Sequence, residues 1–225
     1  LIVFDPAGHG PAKCQGMLSS LIVPRPIAMI TTADEDGTVN VAPYSYFMPV
    51  TGEPPLLAVT IGGRRESEPS QKDTWRNASR TGELVVNVTT EAMRDKIEMA
   101  AMEFPAGVSE LDAIGWHTTP SVKVTPPSLA ESPAHLECRI HEVLDLGTTG
   151  VAYSTVHLVV CEVVCITMDE SICSPELRVD PHALAPVGRM PFPYFVQAKG
   201  DSIFELERIS FAEYQTLGAH PSEAS

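Results

Sequence analysis

No part of the chain stays apolar for long. The longest such stretch, around Val156 to Ile166, is broken by His157 and Glu162, and it falls short of the roughly 20 residues a bilayer-spanning helix requires. Positive charge is scarce: 15 Lys and Arg stand against 29 Asp and Glu, for a formal net charge of −14. That balance argues against nucleic acid, whose phosphates it repels, and against an anionic membrane surface. Familiar signatures are also missing. There is no Gly-x-x-x-x-Gly-Lys phosphate loop, no Gly-x-Gly-x-x-Gly turn and no Gly-x-Ser-x-Gly elbow. Gly8-His9-Gly10 is a fragment of the second, with no strand before it. His141-Glu142-Val143-Leu144-Asp145 resembles half of a zinc-binding helix, but Asp145 stands where the second His belongs and the segment reads as strand, so no metal is expected. The five cysteines are odd in number and no secretory leader reads at the start, which predicts no disulfide framework and a cytoplasmic setting. Cys161 and Cys165 read as buried apolar thiols.

What is present fits one domain, with a core over about residues 17–208, a loose Gly- and Pro-rich lead-in over 1–14 and a weakly ordered tail over 211–225. Residues 21–32 read as an edge-type strand, because two prolines sit in it. Asp34-Glu35-Asp36-Gly37 reads as a turn, with Gly37 suited to positive φ, and a second strand follows to make a hairpin. Further strands are expected at Leu56–Ile61, Leu84–Val88, about 134–146, about 153–168 (with a bulge) and near 194–208. Met93, Ile97 and Ala100 fall at helical spacing in Glu91–Met102. Residues 103–133 read as a long surface excursion. Many strands, one clear helix and many turns favour a mainly β, closed or partly closed barrel.

Three segments carry chemistry. Pro24-Arg25-Pro26-Ile27 leads to Thr31-Thr32, Asn40-Val41-Ala42-Pro43-Tyr44-Ser45-Tyr46-Phe47 follows, and Lys72-Asp73-Thr74 precedes Asn77. Each has a plain reading of its own: an edge Arg that discourages strand pairing, a strand ended by Pro, and a capped helix running through Trp75 and Asn77. Together they offer what a flat, anionic cofactor needs. The hydroxyls of Thr31, Thr32, Ser45 and Thr74, with Lys72 or Arg25, can bind a phosphate through charge-assisted hydrogen bonds. Backbone N–H groups of Ala42 to Ser45 can meet the polar edge of a ring, and Tyr44, Tyr46 or Phe47 can cover its face.

In order and spacing these segments resemble the flavin reductase-like family of FMN-binding split barrels. Thr81-Gly82-Glu83-Leu84-Val85-Val86-Asn87, Glu131-Ser132-Pro133 with Leu136-Glu137-Cys138, and Val187-Gly188-Arg189 extend the likeness. The resemblance implies a split β-barrel, six-stranded, antiparallel and of Greek-key type, with a few helices. It implies a homodimer that holds FMN non-covalently near the interface. Thr31, Thr32, Lys72 and Thr74 would lie near phosphate or ribityl, with Asp73 and Asn77 beside them. Asn40, Ala42, Pro43, Tyr44 and Ser45 would line the isoalloxazine, with Phe47 next to them. Arg25 would lend electrostatic support, and Arg189 would approach from the later segment of the same or the partner subunit. One departure bears on substrate: relatives often follow that late Gly-Arg with Leu-Gly-Gly and a Tyr, whereas Met190-Pro191-Phe192-Pro193-Tyr194 stands here. The implied activity is reduction of flavin by NAD(P)H. The alternatives are an electron-transfer protein of flavoredoxin type with a protein redox partner, or a barrel binding a different ligand. Hydride transfer to a flavin needs no side-chain acid or base, so no catalytic residue is named.

Overall fold

A computed structural model describes residues 1–62, 71–102, 104, 110–148 and 155–216. Helix α1 (Pro11–Leu21) leads into a two-residue strand β1 (Arg25–Pro26). Four strands follow: β2 (Ala28–Ala33), β3 (Val39–Tyr44), β4 (Phe47–Gly52) and β5 (Pro55–Ile61). Helix α2 (Asp73–Thr81) precedes β6 (Glu83–Val88). A covering excursion contains α3 (Glu110–Ile114), β7 (Thr118–Thr119) and β8 (Ser128–Leu129). The long hairpin of β9 (Ala134–Thr148) and β10 (Thr155–Met168) comes next. The chain ends in α4 (Pro181–Leu184), β11 (Val187–Arg189), β12 (Phe195–Gln197) and α5 (Phe211–Thr216).

Seven strands join in the order β3-β2-β6-β9-β10-β5-β4, and every neighbouring pair is antiparallel. Only Ser45 and Tyr46 separate β3 from β4, and the Tyr46 carbonyl accepts from the Thr60 N–H at 2.8 Å. Counted as one bent strand, β3 and β4 complete the six-stranded split barrel that the resemblance implies. The turn before β3 is the expected one. Asp34 Oδ1 accepts from the N–H groups of Asp36 and Thr38 at 3.0 and 2.8 Å, and Gly37 takes φ +82°, a conformation that costs a Cβ-bearing residue.

Because successive strand residues face opposite ways, β2 serves two cores. Ala28 and Ile30 join Leu57, Val59, Leu84 and Val86 inside the barrel, where Trp75 and Ala78 of α2 close one side. Met29 joins Val41, Met93, Ile97 and Trp116 in a second core under the excursion. Burial on both faces makes β2 a central strand, not the edge expected: Pro24 and Pro26 fall before it, the second of them in β1, which belongs to a separate three-stranded sheet of order β1-β11-β12.

Other boundaries also differ from expectation. Helix α1 begins within the lead-in and runs beyond it, started by Gly10 at the cap and Pro11 in the first turn. None of its residues is buried, so no apolar stripe announced it. Residues 91–96 form a 3-10 helix instead of an α-helix, although Met93, Ile97 and Ala100 face the core as their spacing predicts. The final strand shrinks to β12, and residues 211–216 are helical. The rest of the tail, residues 63–70 of the polar segment before α2 and part of the 103–133 excursion lie outside the described residues. Among the described residues no helix is long and apolar enough to cross a membrane.

Candidate functional site

The first two segments of interest meet the third where α2 lies across β2 and β3. Asn40 Nδ2 donates to Thr74 Oγ1 at 2.8 Å, and Asn77 Nδ2 donates to Thr32 Oγ1 at 3.3 Å. Thr32, Thr74 and Asn77 are 0, 1 and 2% exposed, and Asn40 is 8% exposed. The four side chains form a polar clasp between helix and barrel, and their hydroxyls and amides are spent largely on one another. They are sealed from solvent, so a ligand meets the frame that they hold and not the groups themselves.

What remains accessible lies along the rim. Lys72, the residue before α2, places Nζ 5.4 Å from the centre of the Tyr44 ring. Asp73 opens the helix, where its charge suits the positive end of the dipole, and Arg76 pairs with it at 2.6 Å. Lys72, Asp73, Ala42, Pro43, Ser45 and Phe47 are half-buried. Ala42 and Phe47 also pack against the barrel core. One buried polar atom of the clasp, Asn77 Oδ1, lacks a hydrogen-bond partner among the described residues. Burial pushes the Tyr44 phenol well up; Thr74 pulls it the other way and the Asp73 charge adds to the rise. Tyr44 is therefore a neutral phenol at any physiological pH.

Arg25 extends the rim beyond Ser45. Its Nε donates to Ser45 Oγ at 3.4 Å, and one terminal nitrogen donates to the carbonyls of Ser19 and Ile22, the latter at 2.9 Å. It thus ties the end of α1 to the β3–β4 turn. Arg189 stands directly opposite it in register, and pairs with Glu98. Arg189 therefore sits beside Arg25 in the small sheet, which does not include β2 or β3.

Thr31 does not join this group. One residue from Thr32, it points to the other face of β2, donating to the Pro127 carbonyl at 2.6 Å and accepting from Asn87 Nδ2 at 3.2 Å. Asn87 also accepts from the Leu129 N–H at 2.7 Å. Thr31 therefore anchors the excursion, and the alternation of strand side chains is the reason that adjacent threonines part.

Sequence reasoning missed the far side of α2. There a cleft of ≈ 670 Å³ is lined by Gln71, Trp75, Ser79, Val143, Asp145 and His157, among others. His157 Nδ1 lies 2.5 Å from Asp145 Oδ1. The available signal was a His interrupting an otherwise apolar strand. Glu137 lies in the segment Leu136-Glu137-Cys138. It is fully buried, and accepts from the N–H groups of Val122 and Lys123 at 2.7 and 2.5 Å, fastening the excursion.

Known proteins share this fold. Residues 19–178 match the family model of the flavin reductase like domain. An uncharacterised protein of Aquifex aeolicus is 31% identical over 185 residues, covering 82% of this chain and 90% of that one. Nitrilotriacetate monooxygenase component B from Bacillus cereus superposes with a TM-score of 0.82 at 28% identity, over 92% of this chain and 98% of its own. The 2-nitrobenzoate 2-nitroreductase NbaA of Pseudomonas fluorescens gives a TM-score of 0.82 at 25% identity, over 93% and 98%.

Proposed function

Because the chain belongs to the flavin reductase-like family, we propose that it is an oxidoreductase in which NAD(P)H reduces a non-covalently held FMN. The observation that supports this best is the continuous rim from Lys72 over Tyr44 to Ser45. A cation at a helix start suits a phosphate. The turn from Ala42 to Ser45 suits the polar edge of a flat ring.

Roles divide accordingly. Lys72 and the first N–H groups of α2 hold the phosphate, while Arg76 offsets the Asp73 charge that would repel it. The Ala42–Ser45 backbone orients the ring, and Ser45 is held by Arg25. Thr32, Asn40, Thr74 and Asn77 position these groups from behind. FMN, when bound, supplies the two-electron chemistry. The protein's part is to hold the ring edge, leave one face open and favour negative charge nearby with Arg25 and Arg189. Exposed Met48, Val50, Leu144, Leu146 and Ile166 suit burial against a second copy of the chain, and a homodimer is part of the proposal.

The test begins with the visible spectrum of the purified protein, then steady-state oxidation of NADH and of NADPH with and without added FMN. Flavin bands are expected, and Lys72→Ala should lose FMN on gel filtration more readily than the parent. A colourless protein that takes up no FMN would end the reading. Equal retention by Lys72→Ala would remove the phosphate assignment alone.

A further inference from the structure

The small sheet β1-β11-β12 carries a row of charged and aromatic side chains, of which Phe195 also packs against the second core. Register places Arg25 opposite Arg189, and Arg189 opposite Phe195. Directly opposite residues on antiparallel strands project to the same face, with Cβ atoms about 4.5–5.5 Å apart. The row continues at one end to Tyr46, whose ring centre lies 5.8 Å from the Arg25 guanidinium. At the other end the Arg189 guanidinium lies 4.2 Å from the centre of Phe195 and 5.5 Å from that of Phe192. Aromatic faces and guanidinium groups therefore share one stripe.

Like charges directly opposite each other destabilise a sheet unless something offsets them. Arg25 is offset internally, by the carbonyls at the end of α1 and by Ser45. It is 8% exposed and contributes charge but no open donor face. Among the described residues the acidic partner of Arg189 is Glu98, whose side chain is 58% exposed and reaches in from a distant part of the chain. The Arg189 side chain is itself 18% exposed, while the Glu98 end of the pair stays largely in solvent, so an incoming carboxylate can take the place of Glu98 on the guanidinium. The β11–β12 turn is built to hold its tip: the Met190 N–H donates to the Tyr194 carbonyl at 3.1 Å, and the Tyr194 N–H to that of Pro191 at 2.8 Å. That turn leaves Phe192 79% exposed beside Arg189. The neighbouring position is closely packed: a Cβ at Gly188 would stand 3.2 Å from the Arg25 carbonyl and 3.3 Å from Val196 Cγ1, so a side chain there would push its neighbours by a few tenths of an ångström.

We propose that this stripe binds a planar aromatic carboxylate, its carboxylate taken by the Arg189 guanidinium in place of Glu98 and its ring laid against Phe192. A guanidinium presents paired donors that match a carboxylate, and a flat ring finds an exposed aromatic partner. A nucleotide pyrophosphate would instead call for a loop rich in N–H groups or a helix start, which this sheet does not offer. Arg25 joins the stripe to Ser45, so the bound acid lies on the substrate side of the flavin. That last placement rests on the proposed function; the binding site itself does not.

The probe is 2-naphthoate, with neutral 2-naphthamide as its control, titrated calorimetrically into the full-length protein with and without FMN. Naphthoate is expected to bind about tenfold or more tightly than the amide, and Arg189→Met to lose about the same factor. Arg189→Lys should keep part of the affinity, since it keeps the charge and loses the fork. Glu98→Gln should bind more tightly, a gain that misfolding cannot produce. Equal affinity for acid and amide, no binding at all, or indifference to Arg189→Met or Glu98→Gln would each overturn the proposal. So would conversion of a dimer to monomers by Phe192→Ala in sedimentation, which would assign the stripe to a second copy. A protein that takes up no FMN yet shows this pattern would defeat the flavin reading and leave the site standing. Firm FMN binding with no selectivity for the acid would do the reverse.

Discussion

Trp75 lies flat on His157, with ring centroids 4.0 Å apart and planes inclined by 20°. His157 is also paired in register with Asp145 on β9, and its ring nitrogen meets that carboxylate. One imidazole thus joins α2 to both strands of the long hairpin. The opposite side of α2 is gripped by the Asn40–Thr74 and Asn77–Thr32 hydrogen bonds. A short, strongly polar helix that would be marginal alone is held from two sides, and Lys72 stands at its start.

Trp75→Ala should remove one of these grips. Trp75 is 9% exposed, and deletion of a buried Trp side chain typically costs about 3–5 kcal/mol. A lower urea midpoint is expected, together with weaker FMN retention, because the helix start loses its anchorage. If the midpoint stayed within error of the parent's, the stack would be incidental.

The clasp behind the rim predicts a different pattern. Asn40→Ala leaves the Thr74 hydroxyl buried without its donor, a loss of about 1–3 kcal/mol. Lys72 is half-buried at the rim, and Lys72→Ala should leave the unfolding midpoint nearly unchanged while FMN retention falls. A double-mutant cycle between Asn40 and Thr74 should show coupling of about 0.5–3 kcal/mol. Independent, additive effects would argue that the two side chains do not support each other.

The division between clasp and rim could not be seen in the sequence, although the residues could. Asn40, Thr74 and Asn77 were legible as a set because the ordered segments that hold them offer the hydroxyls, amides and charge that an anionic cofactor needs. Whether such a set faces a ligand or a helix depends on which element packs above it. That packing is set by contacts between residues 34 and 45 positions apart. Thr31 and Thr32 show the same limit more sharply: adjacent and chemically alike, they are separated by the pleat. The barrel itself was legible, since turns such as Asp34–Gly37 and runs such as Leu56–Ile61 signal strands locally. Helix α1 was not, since it buries nothing and so carries no apolar period. The small sheet was not either, since strands of two and three residues leave too little pattern to read.

Thiol reactivity gives a separate check on the barrel interior. Burial pushes the Cys161 thiol up to about 12, and pushes Cys138 higher still, with Cys161 and Glu137 adding to it. The thiolate is the reactive form, so neither should react with iodoacetamide at pH 8 in the folded protein. Cys14, Cys165 and Cys173 are only half-buried and should label first. Peptide mapping by mass spectrometry reads this directly. Early labelling of Cys138 or Cys161 would mean that the barrel opens far more readily than its packing allows.

Acid should weaken one fastening of the excursion. Glu83 accepts from the Thr125 N–H at 2.8 Å and from Arg139 Nε at 3.4 Å. Burial alone would raise its carboxyl, but these hydrogen bonds and the Arg139 charge outweigh it and hold it below the usual carboxylate value. A carboxyl depressed in the folded state contributes stability above its unfolded value, about 4.3, and loses that contribution as pH falls through the folded value. Glu83→Gln should therefore lower the urea midpoint at pH 7, by an amount kept small by solvent screening. The gap to the parent should narrow below the unfolded value and close in stronger acid. A gap that widened as pH fell would reverse the sign, and would mean that the carboxyl is held up by burial instead of down by its partners.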